Sequence, residues 1–538
     1  MTSPSPSPLS PAHRQALAAI VGDDHLRTEL PDRLAYQNDC WPRGILLARG
    51  RRLHRNLPSA IVQPADEEEV MEIVDWARQS STPIIPFGAG SGVCGGTVAE
   101  DHRAIVVDLK RLDQLVAIDE ANATVRAQPG IIGMDLERYL NHAGWTMGHF
   151  PSSLYCSSLG GYLAARSAGQ LSSRHGKIED MVLSMRAVDG RGQVVTTAAD
   201  PFRGAPGGFD AHDLIDQNEL IVGSEGTLGL ITEALMRIKP ASTCRRYRGF
   251  QFSRLDLALD AIQEVMQLGL RPAVVRLYDE ADSLVASSKK KGQPTPDAPP
   301  LARRLADQAR QFLPNAIQKP LQKTVEKATQ GLLRRAVGNP LMVNAVADLV
   351  PGHCLLVVGF EGTNELVDHE ADYAFDVFRR YGIDLGTGPG DHWLEHRYSV
   401  SYKQSPMYAA GAFVDTMEVS TTWDRLIPLY NNVREAMREH VFVMAHFSHV
   451  YPEGSSIYFT FAGFGRDVDD SLARYKATWQ AGLDAVADSG ASIAHHHGVG
   501  QSKAPWTPRD HQGGRPLFER LKDRHDPERI LNPGKVYR

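Results

Sequence analysis

The chain has 538 residues, which at about 150 residues per domain allows three or four core-forming units. Its hydrophobic share of 42% and charged share of 23% are those of an ordinary globular protein, so a wholly disordered or fibrous chain is excluded. The formal charge of −6 leaves no overall basic field, and we therefore expect no nucleic-acid partner.

The N-terminal sequence and the cysteines indicate where the protein works. MTSPSPSPLSP lacks the basic and apolar regions of a secretory signal, and no apolar run reaches the ~18 residues of a membrane span. The five cysteines are scattered without a C-x-x-C pair, which favours a reducing compartment over a disulfide framework. The sequence therefore predicts a cytoplasmic protein.

Residues 1–56 are predicted to form a tail and a peripheral helical segment, and an α/β pattern follows over 57–240. Around residues 66–77, apolar residues recur at helical spacing behind an acidic first turn, which predicts a helix. Strands are predicted at 82–87, 104–109, 115–119 and 124–130, and a further helix at 133–143.

A second pattern, of alternating strands and amphipathic helices, covers residues 241–485 and predicts an antiparallel sheet. Residues 486–538 carry further motifs and are predicted to return to the first domain. The fold class is therefore α+β. In the second domain, strands are expected at 273–279, 354–362 and 455–464, and helices at 366–381 and 423–438.

A basic insertion, residues 284–345, interrupts the second domain. Between Lys289 and Arg335 it carries eleven Lys or Arg against three acidic residues. One interpretation is a solvated helical insertion, and the other is a basic amphipathic segment that rests on an anionic membrane surface. The partners considered are thus a small-molecule or lipid-like substrate, an anionic membrane surface, and a second copy of the chain in a homodimer.

The glycine-rich loop GAGSGVCGGT (88–97) lies between two predicted strands. A Rossmann site needs a helix that begins at the loop, and here a strand follows instead. Five glycines nevertheless fall within nine residues, and successive backbone N–H groups of such a loop can form a nest for an anion. The loop therefore predicts phosphate binding in a fold other than the Rossmann fold.

A resemblance to a known family follows from the order of five motifs. They resemble the FAD-contacting and C-terminal segments of the vanillyl-alcohol oxidase / p-cresol methylhydroxylase superfamily. Within it, the chain is similar over roughly residues 35–538 to the alkyldihydroxyacetonephosphate synthase family, flavoenzymes that make ether-lipid precursors. The resemblance implies a two-part FAD-binding domain, from 57–240 and 486–538, around a cap domain at 241–485. The motifs are PFGAGSG (86–92), SSLYCSS (152–158), ARSAG (165–169), GSEGTLGLIT (223–232) and DPERILNPGK (526–535).

The resemblance also implies which residues bind FAD. Relatives with a histidyl flavin link often carry a histidine where this chain has Gly90, so non-covalent FAD is expected. Cys156 lies near the position of a cysteinyl link in bicovalent relatives, and we expect a buried, inert thiol there. The predicted cofactor contacts are Pro86, Phe87, Gly88, Ala89, Gly90, Ser91, Gly92, Ser152, Ser153, Ser157, Ser158, Ala165, Arg166, Ser167, Ala168, Glu225, Gly226, Thr227, Leu228, Gly229, Leu230 and Ile231.

The candidate catalytic residues are one tyrosine and four histidines. His495, His496 and His497 precede a Gly-Val-Gly segment, and on a strand His496 would face away from the other two. Histidine suits acid/base work near neutral pH. The resemblance implies that this triplet acts in catalysis together with Tyr458, which lies in an apolar alternating segment, and His149.

Arg276, His446, Lys403 and Gln404 are the candidate substrate residues. The resembling synthases carry a phosphate-binding arginine at a fixed distance before a Trp-Asp pair, and here that position is Gln404, beside Lys403. Glutamine cannot make the charged, bidentate contact of an arginine. The sequence therefore departs from the family at the phosphate contact.

A metal site is the alternative to chemistry by flavin alone. Related D-lactate and glycolate dehydrogenases use H-x-G-D-G-N-x-H and E-H-G motifs, and His446, His449 and His497 fall in the matching regions. The acidic residues of those motifs are missing here, so no metal site is predicted, with this histidine set as the alternative.

Three functions remain open from the sequence. In the first, a redox-neutral exchange at flavin N5, a carboxylate leaves the substrate carbon and an alcohol replaces it. In the second, an alcohol or 2-hydroxy acid is oxidised by hydride transfer to N5, while Tyr458 or a histidine takes the hydroxyl proton. In the third, a non-catalytic flavoprotein acts as a binding module.

Overall fold

The computed structural model describes residues 9–52, 56–198, 216–283, 340–341, 344–345, 352–399, 407–408 and 411–537. Lys403 and Gln404 lie outside these residues, and so does nearly all of the basic insertion at 284–345. In the part of the chain that is described, no helix is both long and apolar enough to cross a membrane.

The secondary structure alternates between short parallel strands, antiparallel sheets and covering helices. The described strands are β1 (Leu26–Arg27), β2 (Ala60–Val62), β3 (Ile84–Phe87), β4 (Ile105–Asp108), β5 (Leu115–Asp119), β6 (Thr124–Ala127), β7 (Trp145–Thr146), β8 (Val182–Val188), β9 (Val194–Thr196), β10 (Leu230–Arg237), β11 (Lys239–Pro240), β12 (Cys244–Phe252), β13 (Val274–Tyr278), β14 (Cys354–Gly362), β15 (Ile383–Asp384), β16 (Phe413–Thr422), β17 (Phe442–Val450) and β18 (Gly454–Gly463). The described α-helices are α1 (Pro11–Val21), α2 (Leu30–Ala35), α3 (Pro42–Arg49), α4 (Glu67–Ser80), α5 (Gly133–His142), α6 (Leu159–Ala164), α7 (Ser172–His175), α8 (Ile178–Met181), α9 (Gln217–Ile221), α10 (Leu255–Gln267), α11 (Asn364–Tyr381), α12 (Gly388–His396), α13 (Leu426–Met437), α14 (Val468–Asp488), α15 (Gly500–Lys503), α16 (Thr507–Asp510) and α17 (Gly514–His525).

The first sheet has four strands in the order β1-β2-β4-β3, with β2, β4 and β3 parallel. Its apolar residues are buried on both faces: Ile84 and Val107 belong to one hydrophobic core, and Ile85 and Val106 to another. Such two-sided burial is typical of parallel strands. Helix α4 covers one face and begins at Asp66, whose carboxylate accepts the Glu69 N–H.

The second sheet is antiparallel, with strand order β5-β6-β10-β8-β9. Helices α5 and α6 pack on it through Leu136, Leu140 and Leu159. The predicted strand 124–130 ends earlier, at Ala127, because Pro129 has no N–H to donate to a sheet ladder.

The cap domain is a seven-stranded antiparallel sheet in the order β15-β12-β14-β13-β17-β18-β16. One face packs against α10, α11, α13 and α14 in the largest hydrophobic core. The predicted strand at 354–362 is confirmed, the one predicted at 273–279 is one residue shorter at each end, and the one predicted at 455–464 begins and ends one residue earlier. The helix predicted at 423–438 starts only at Leu426, because Trp423–Arg425 form a 3-10 turn.

The C-terminal segment contacts the first sheet again. Ile84 donates its N–H to the Ile530 carbonyl and accepts from the Asn532 N–H, both at 2.8 Å. The side-chain amide of Asn532 also donates to the backbone carbonyls of Gly96 and Glu225. These bonds hold the glycine-rich loop, the GSEG turn and the C-terminal segment together.

Candidate active site

A cavity of about 1510 Å³ lies between the glycine-rich loop and the exposed face of the cap sheet. The FAD-type domain contributes the segments 86–94, 151–158 and 225–231 to its lining, and the cap contributes residues from β13, β16, β17 and β18. A volume of this size can accommodate a dinucleotide together with a substrate, since drug-sized pockets measure about 300–1,000 Å³.

The glycine-rich loop has the geometry of an anion nest. Among the described residues, the N–H groups of Ala89, Gly90, Ser91 and Gly92 have no protein acceptor, although the loop lines the cavity. Gly90 has a φ of +69°, and a Cβ there would collide with the Phe87 ring. Unpaired N–H groups of a loop that lines a cavity are suited to the oxygens of a pyrophosphate.

The serine segment, residues 152–158, contacts this loop directly. Ser91 Oγ and Ser157 Oγ lie 2.8 Å apart. Ser158 caps helix α6, where its Oγ accepts the Gly161 N–H. A Cβ at Gly88 would collide with this same Ser158 Oγ. Glycine at position 88 therefore allows the loop and the serine segment to approach closely. The residues in this region therefore fit the diphosphate and ribose of FAD.

Glu225 connects the GSEG turn to the segment after the histidine triplet. Its Oε1 accepts the N–H groups of Val499 at 2.5 Å and Gly500 at 2.9 Å. Burial raises the pKa of Glu225, and these backbone hydrogen bonds oppose the rise. The Glu225 carboxylate thus joins the GSEG turn to the segment at 499–500, and its hydrogen bonds are not limited to its own turn.

Most of the predicted FAD contacts line the cavity, and three do not. Arg166 pairs with Glu219 and donates to the Val222 carbonyl, so its side chain points away. Thr227 donates its hydroxyl to the Ser224 carbonyl, and Leu228 packs in the core of the second sheet. Lining residues are Pro86, Phe87, Gly88, Ala89, Gly90, Ser91, Gly92, Ser152, Ser153, Ser157, Ser158, Ala165, Ser167, Ala168, Glu225, Gly226, Gly229, Leu230 and Ile231.

Three side chains form a row across three cap strands, and two of them, Tyr458 and His446, line the opposite wall of the cavity. Tyr458 on β18 pairs with Glu418 on β16 and with His446 on β17. Directly opposed residues in a sheet present their side chains to the same face, so these three groups come together. The rings of Tyr458 and His446 stack at 4.6 Å, and burial raises the pKa of Tyr458 to about 12.

His446 is fixed by two neighbours. Arg276 Nη2 lies 3.0 Å from Nε2, and Asp282 Oδ2 lies 3.3 Å from Nδ1. Because arginine can only donate, Nε2 must accept and Nδ1 must carry the proton. Burial, followed by the charge of Arg276, holds the pKa of His446 well below its usual value. His446 is therefore neutral, with both ring nitrogens engaged.

The histidine triplet corrects one prediction from the sequence. Residues 495–497 form a loop and not a strand, so strict alternation of their side chains does not apply. The backbone N–H groups of His495 and His496 donate to Glu418 Oε2, and both Nδ1 atoms lie within 3.1 Å of Glu418 Oε1. Burial would raise the pKa of Glu418, but the neighbouring histidines hold it well below its usual value.

The residues that could bind a metal differ from those that the sequence indicated. In the described part of the chain, the three groups whose ligand atoms converge are Glu418, His495 and His496, and not His446, His449 and His497. Glu418 Oε2 accepts the backbone N–H groups of His495 and His496, and its Oε1 lies within 3.1 Å of both Nδ1 atoms.

Two further predicted residues lie differently from expectation. His149 is buried behind the cavity wall, 3.2 Å from Ser167 Oγ, and does not line the cavity. Burial lowers the pKa of His149 to about 3. Cys156 was expected to be buried but is exposed at the cavity, because it lies in the turn before Ser157; partial burial raises the pKa of its thiol.

Sequence reasoning missed Glu418, Asp282 and Arg397. Glu418 could have been found as one of two acidic residues, with Asp415, in the predominantly buried strand FVDTMEVSTT. Arg397 lines the cavity with its guanidinium 4.8 Å above the Tyr398 ring, and among the described residues its Nη1 has no hydrogen-bond partner. No spacing rule marks Arg397 or Asp282, because their positions depend on the tertiary fold.

A glycine-lined phosphate nest and a wall of tyrosine and histidines, on a two-part domain with an antiparallel cap, define a flavin-dependent enzyme. Residues 58–198 match the family model of the FAD binding domain, and residues 242–536 match that of the FAD linked oxidases, C-terminal domain. The chain belongs to the family of FAD-linked oxidases, and FAD is its cofactor.

Similar proteins confirm the resemblance seen in the sequence. Alkyldihydroxyacetonephosphate synthase of Trypanosoma brucei brucei is 28% identical, over 97% of this chain and 79% of the relative. Glycolate oxidase subunit GlcD of Bacillus subtilis (strain 168) is 28% identical, over 52% of this chain and 56% of the relative. A solved alkyldihydroxyacetonephosphate synthase has a TM-score of 0.74 at 26% identity, over 99% of this chain and 87% of that chain. Substrate-bound p-cresol methylhydroxylase shares the fold, with a TM-score of 0.68 at 16% identity, over 99% of this chain and 98% of that chain.

Proposed function

We propose that this enzyme replaces the carboxylate of an acyl ester by an alcohol, in a redox-neutral exchange like that of alkyldihydroxyacetonephosphate synthase. The observation that carries the proposal is the group of Tyr458, His446, His496 and His497, which faces the FAD nest across one cavity. The similarity to the synthases extends over nearly the whole chain and therefore includes both walls of this cavity.

The loop Ala89–Gly92 would hold the diphosphate, and the segments 152–158 and 225–231 would flank the remainder of FAD. When bound there, FAD supplies electron-pair chemistry that no side chain can provide. The protein must hold the substrate carbon in place, exclude water, and manage the proton of the incoming alcohol.

Tyr458 and His497 are the groups we assign to that proton. Tyr458 keeps its own proton at neutral pH because burial raises its pKa to about 12, so it serves as a hydrogen-bond donor. His497 lines the cavity, with its ring 5.3 Å from that of Tyr458. Burial holds the pKa of His497 well below its usual value, which leaves a neutral imidazole as the base. His496 and His495 are held by Glu418 and orient the loop.

The substrate end of the cavity suits a molecule with a hydrocarbon chain and one anionic group. The lysine and arginine residues that line it, among those described, are Arg276 and Arg397. Arg276 is engaged with His446, and Arg397 is therefore the cation that we assign to a phosphate or carboxylate of the substrate. Apolar lining residues are Ile45, Leu385, Trp393, Met407, Phe442 and Met444.

Oxidation of an alcohol or 2-hydroxy acid is the second candidate function. The similarity to a glycolate oxidase subunit favours it, and so does glutamine at position 404, where the synthases resembled by the sequence carry a phosphate-binding arginine. In this case His497 would take the hydroxyl proton of the substrate.

A product assay separates the two candidates. The FAD-loaded enzyme is incubated with an acyl dihydroxyacetone phosphate and a long-chain alcohol, and products are detected by mass spectrometry. We expect the alkyl ether and one free carboxylate per turnover, with about 10²–10⁴-fold slower turnover in Tyr458→Phe. Bleaching of the flavin by 2-hydroxy acids, with no ether formed, would establish the second candidate. Absence of both reactions would overturn the proposal.

The finer partner predictions also belong to this proposal. A cytoplasmic enzyme with lipid-like substrates would gain from contact with a membrane, and the basic insertion, with its eleven Lys or Arg, would supply the charge. We expect sedimentation with anionic vesicles at low salt and release at high salt, and equal behaviour with neutral vesicles would contradict the contact. A homodimer would be seen as doubled mass in analytical ultracentrifugation.

A further inference from the structure

A second, smaller cavity lies behind the histidine triplet. Its volume is about 480 Å³, and it is lined by Tyr451, His495 and the segments 420–425 and 490–492. Neither Tyr451 nor His495 lines the large cavity, whereas His449 and His496 do. The histidine loop therefore separates two cavities, each of which meets different histidines.

A continuous set of hydrogen bonds crosses this separation. His495 Nε2 lies 3.0 Å from Tyr451 Oη, and the Tyr451 hydroxyl donates to Ser172 Oγ at 3.3 Å. Ser172 Oγ lies 2.7 Å from His449 Nδ1, in a buried position. The four groups come from the C-terminal segment, the end of strand β17 and helix α7, so no local sequence pattern accounts for their alignment.

The Tyr451–Ser172 hydrogen bond fixes the direction of the other two bonds. Because the Tyr451 hydroxyl donates to Ser172, its oxygen accepts from His495 Nε2–H. The Ser172 hydroxyl then donates to His449 Nδ1. Each group is at once a donor and an acceptor, which is the requirement for passing a proton along a chain. Rotation of the two hydroxyl groups, with the other tautomer at each histidine, reverses the direction, and the reversed chain carries a proton from His449 to His495.

We propose that His495, Tyr451, Ser172 and His449 form a proton path between the reaction cavity and the second cavity. This inference rests on the proposed exchange, which needs such a path. There, the ester C–O bond breaks, the carboxylate leaves with its electron pair, and the alcohol oxygen forms the ether bond. The alcohol proton is released, one per turnover at neutral pH, and must leave a cavity closed by FAD and substrate.

Glu418 holds His495, the end of this path at the second cavity, in position. Its Oε2 accepts the backbone N–H of His495 at 3.0 Å, and its Oε1 lies 3.1 Å from His495 Nδ1. The imidazole of His495 is thereby oriented with Nε2 toward Tyr451. Glu418 is a positioning residue here, since it acts on the path through His495.

Tyr451→Phe tests the path by removing one hydroxyl outside the reaction cavity. We expect turnover in the ether assay to fall at least about tenfold with KM and FAD content unchanged, and the solvent deuterium isotope effect to rise. Ser172→Ala should act similarly, and the double variant should be no slower, because both break one path. Tyr430→Phe, which loses a buried hydroxyl bonded to Asp279, is the matched control and should retain wild-type turnover. Turnover of Tyr451→Phe within about twofold of wild type would overturn the path.

A second measurement needs no substrate. ¹⁵N spectra of histidine-labelled, FAD-loaded enzyme report which ring nitrogen of each histidine carries the proton. We expect a protonated Nε2 on His495 and an unprotonated Nδ1 on His449, with the His495 signal altered in Tyr451→Phe. If the wild type formed no ether, the exchange would be refuted, and these spectra would still judge the path. A proton on both His495 Nε2 and His449 Nδ1, or on neither, would overturn it, because two hydroxyl groups join these nitrogens into one donor–acceptor chain only when one nitrogen donates and the other accepts.

Discussion

Substitution of Glu418 by alanine should release the histidine loop. In the wild type, Glu418 Oε2 accepts the N–H groups of His495 at 3.0 Å and His496 at 3.2 Å. Each buried N–H left without an acceptor costs about 1–3 kcal/mol, so the two together cost roughly 2–6 kcal/mol of local stability. Glu418→Gln retains an amide oxygen for both donors and should cost less than the alanine variant.

Hydrogen–deuterium exchange of the peptide that covers residues 491–500 measures this cost. Because about 1.4 kcal/mol corresponds to a factor of ten, the lower bound predicts exchange at least about 30-fold faster in Glu418→Ala. Glu361→Gln is the matched control, since Glu361 is a buried carboxylate on β14 bonded to Tyr247, in another part of the cap. Wild-type exchange in Glu418→Ala would refute the view that this carboxylate holds the loop.

Four further predictions follow from the site. Tyr458→Phe should keep FAD and the stacking with His446 but lose about 10²–10⁴-fold in turnover, and near-normal turnover would assign Tyr458 to the core. Arg397→Met should raise KM for a phosphorylated ester at least about tenfold with little change in kcat, and an unchanged KM would remove Arg397 from the substrate site. Stability measured by urea unfolding should fall as pH drops below about 6.5, because His149 stays neutral in the folded state, with a pKa of about 3, but is protonated in the unfolded chain. His149→Gln should weaken this dependence of the unfolding free energy on pH. The same dependence in the variant and the wild type would contradict the role given to His149. FAD should leave with acid or heat because Gly90 replaces a linking histidine, and flavin retained on the denatured chain would point to Cys156.

The sequence predicted the parts of the fold that local patterns encode. The strand at 354–362 and the amphipathic helix α4 follow from periodicity, and the glycine-rich loop was separated from a Rossmann site because a strand follows it. Five ordered motifs identified the cofactor, because backbone approach to a phosphate constrains small residues in contiguous segments.

The site itself could be predicted only in part, because its geometry arises between segments far apart in sequence. The triplet at 495–497 is a loop because Glu418, 77 residues away from His495, accepts its N–H groups, and a loop obeys no strand alternation. Cross-strand pairing brings Glu418, Tyr458 and His446 together, and register cannot be read from three separate strands. Arg166 belongs to a matching motif, yet Glu219 and the Val222 carbonyl turn its side chain away from the cavity.

The central claim is that the enzyme exchanges a carboxylate for an alcohol without net oxidation, and anaerobic turnover tests it most directly. FAD-loaded enzyme is mixed under nitrogen with the acyl ester of dihydroxyacetone phosphate and a long-chain alcohol, with no electron acceptor present. The account predicts many equivalents of ether per enzyme, while the visible absorbance of the flavin is the same before and after turnover. A single equivalent of product with lasting bleaching of the flavin, or a requirement for an added acceptor, would contradict it.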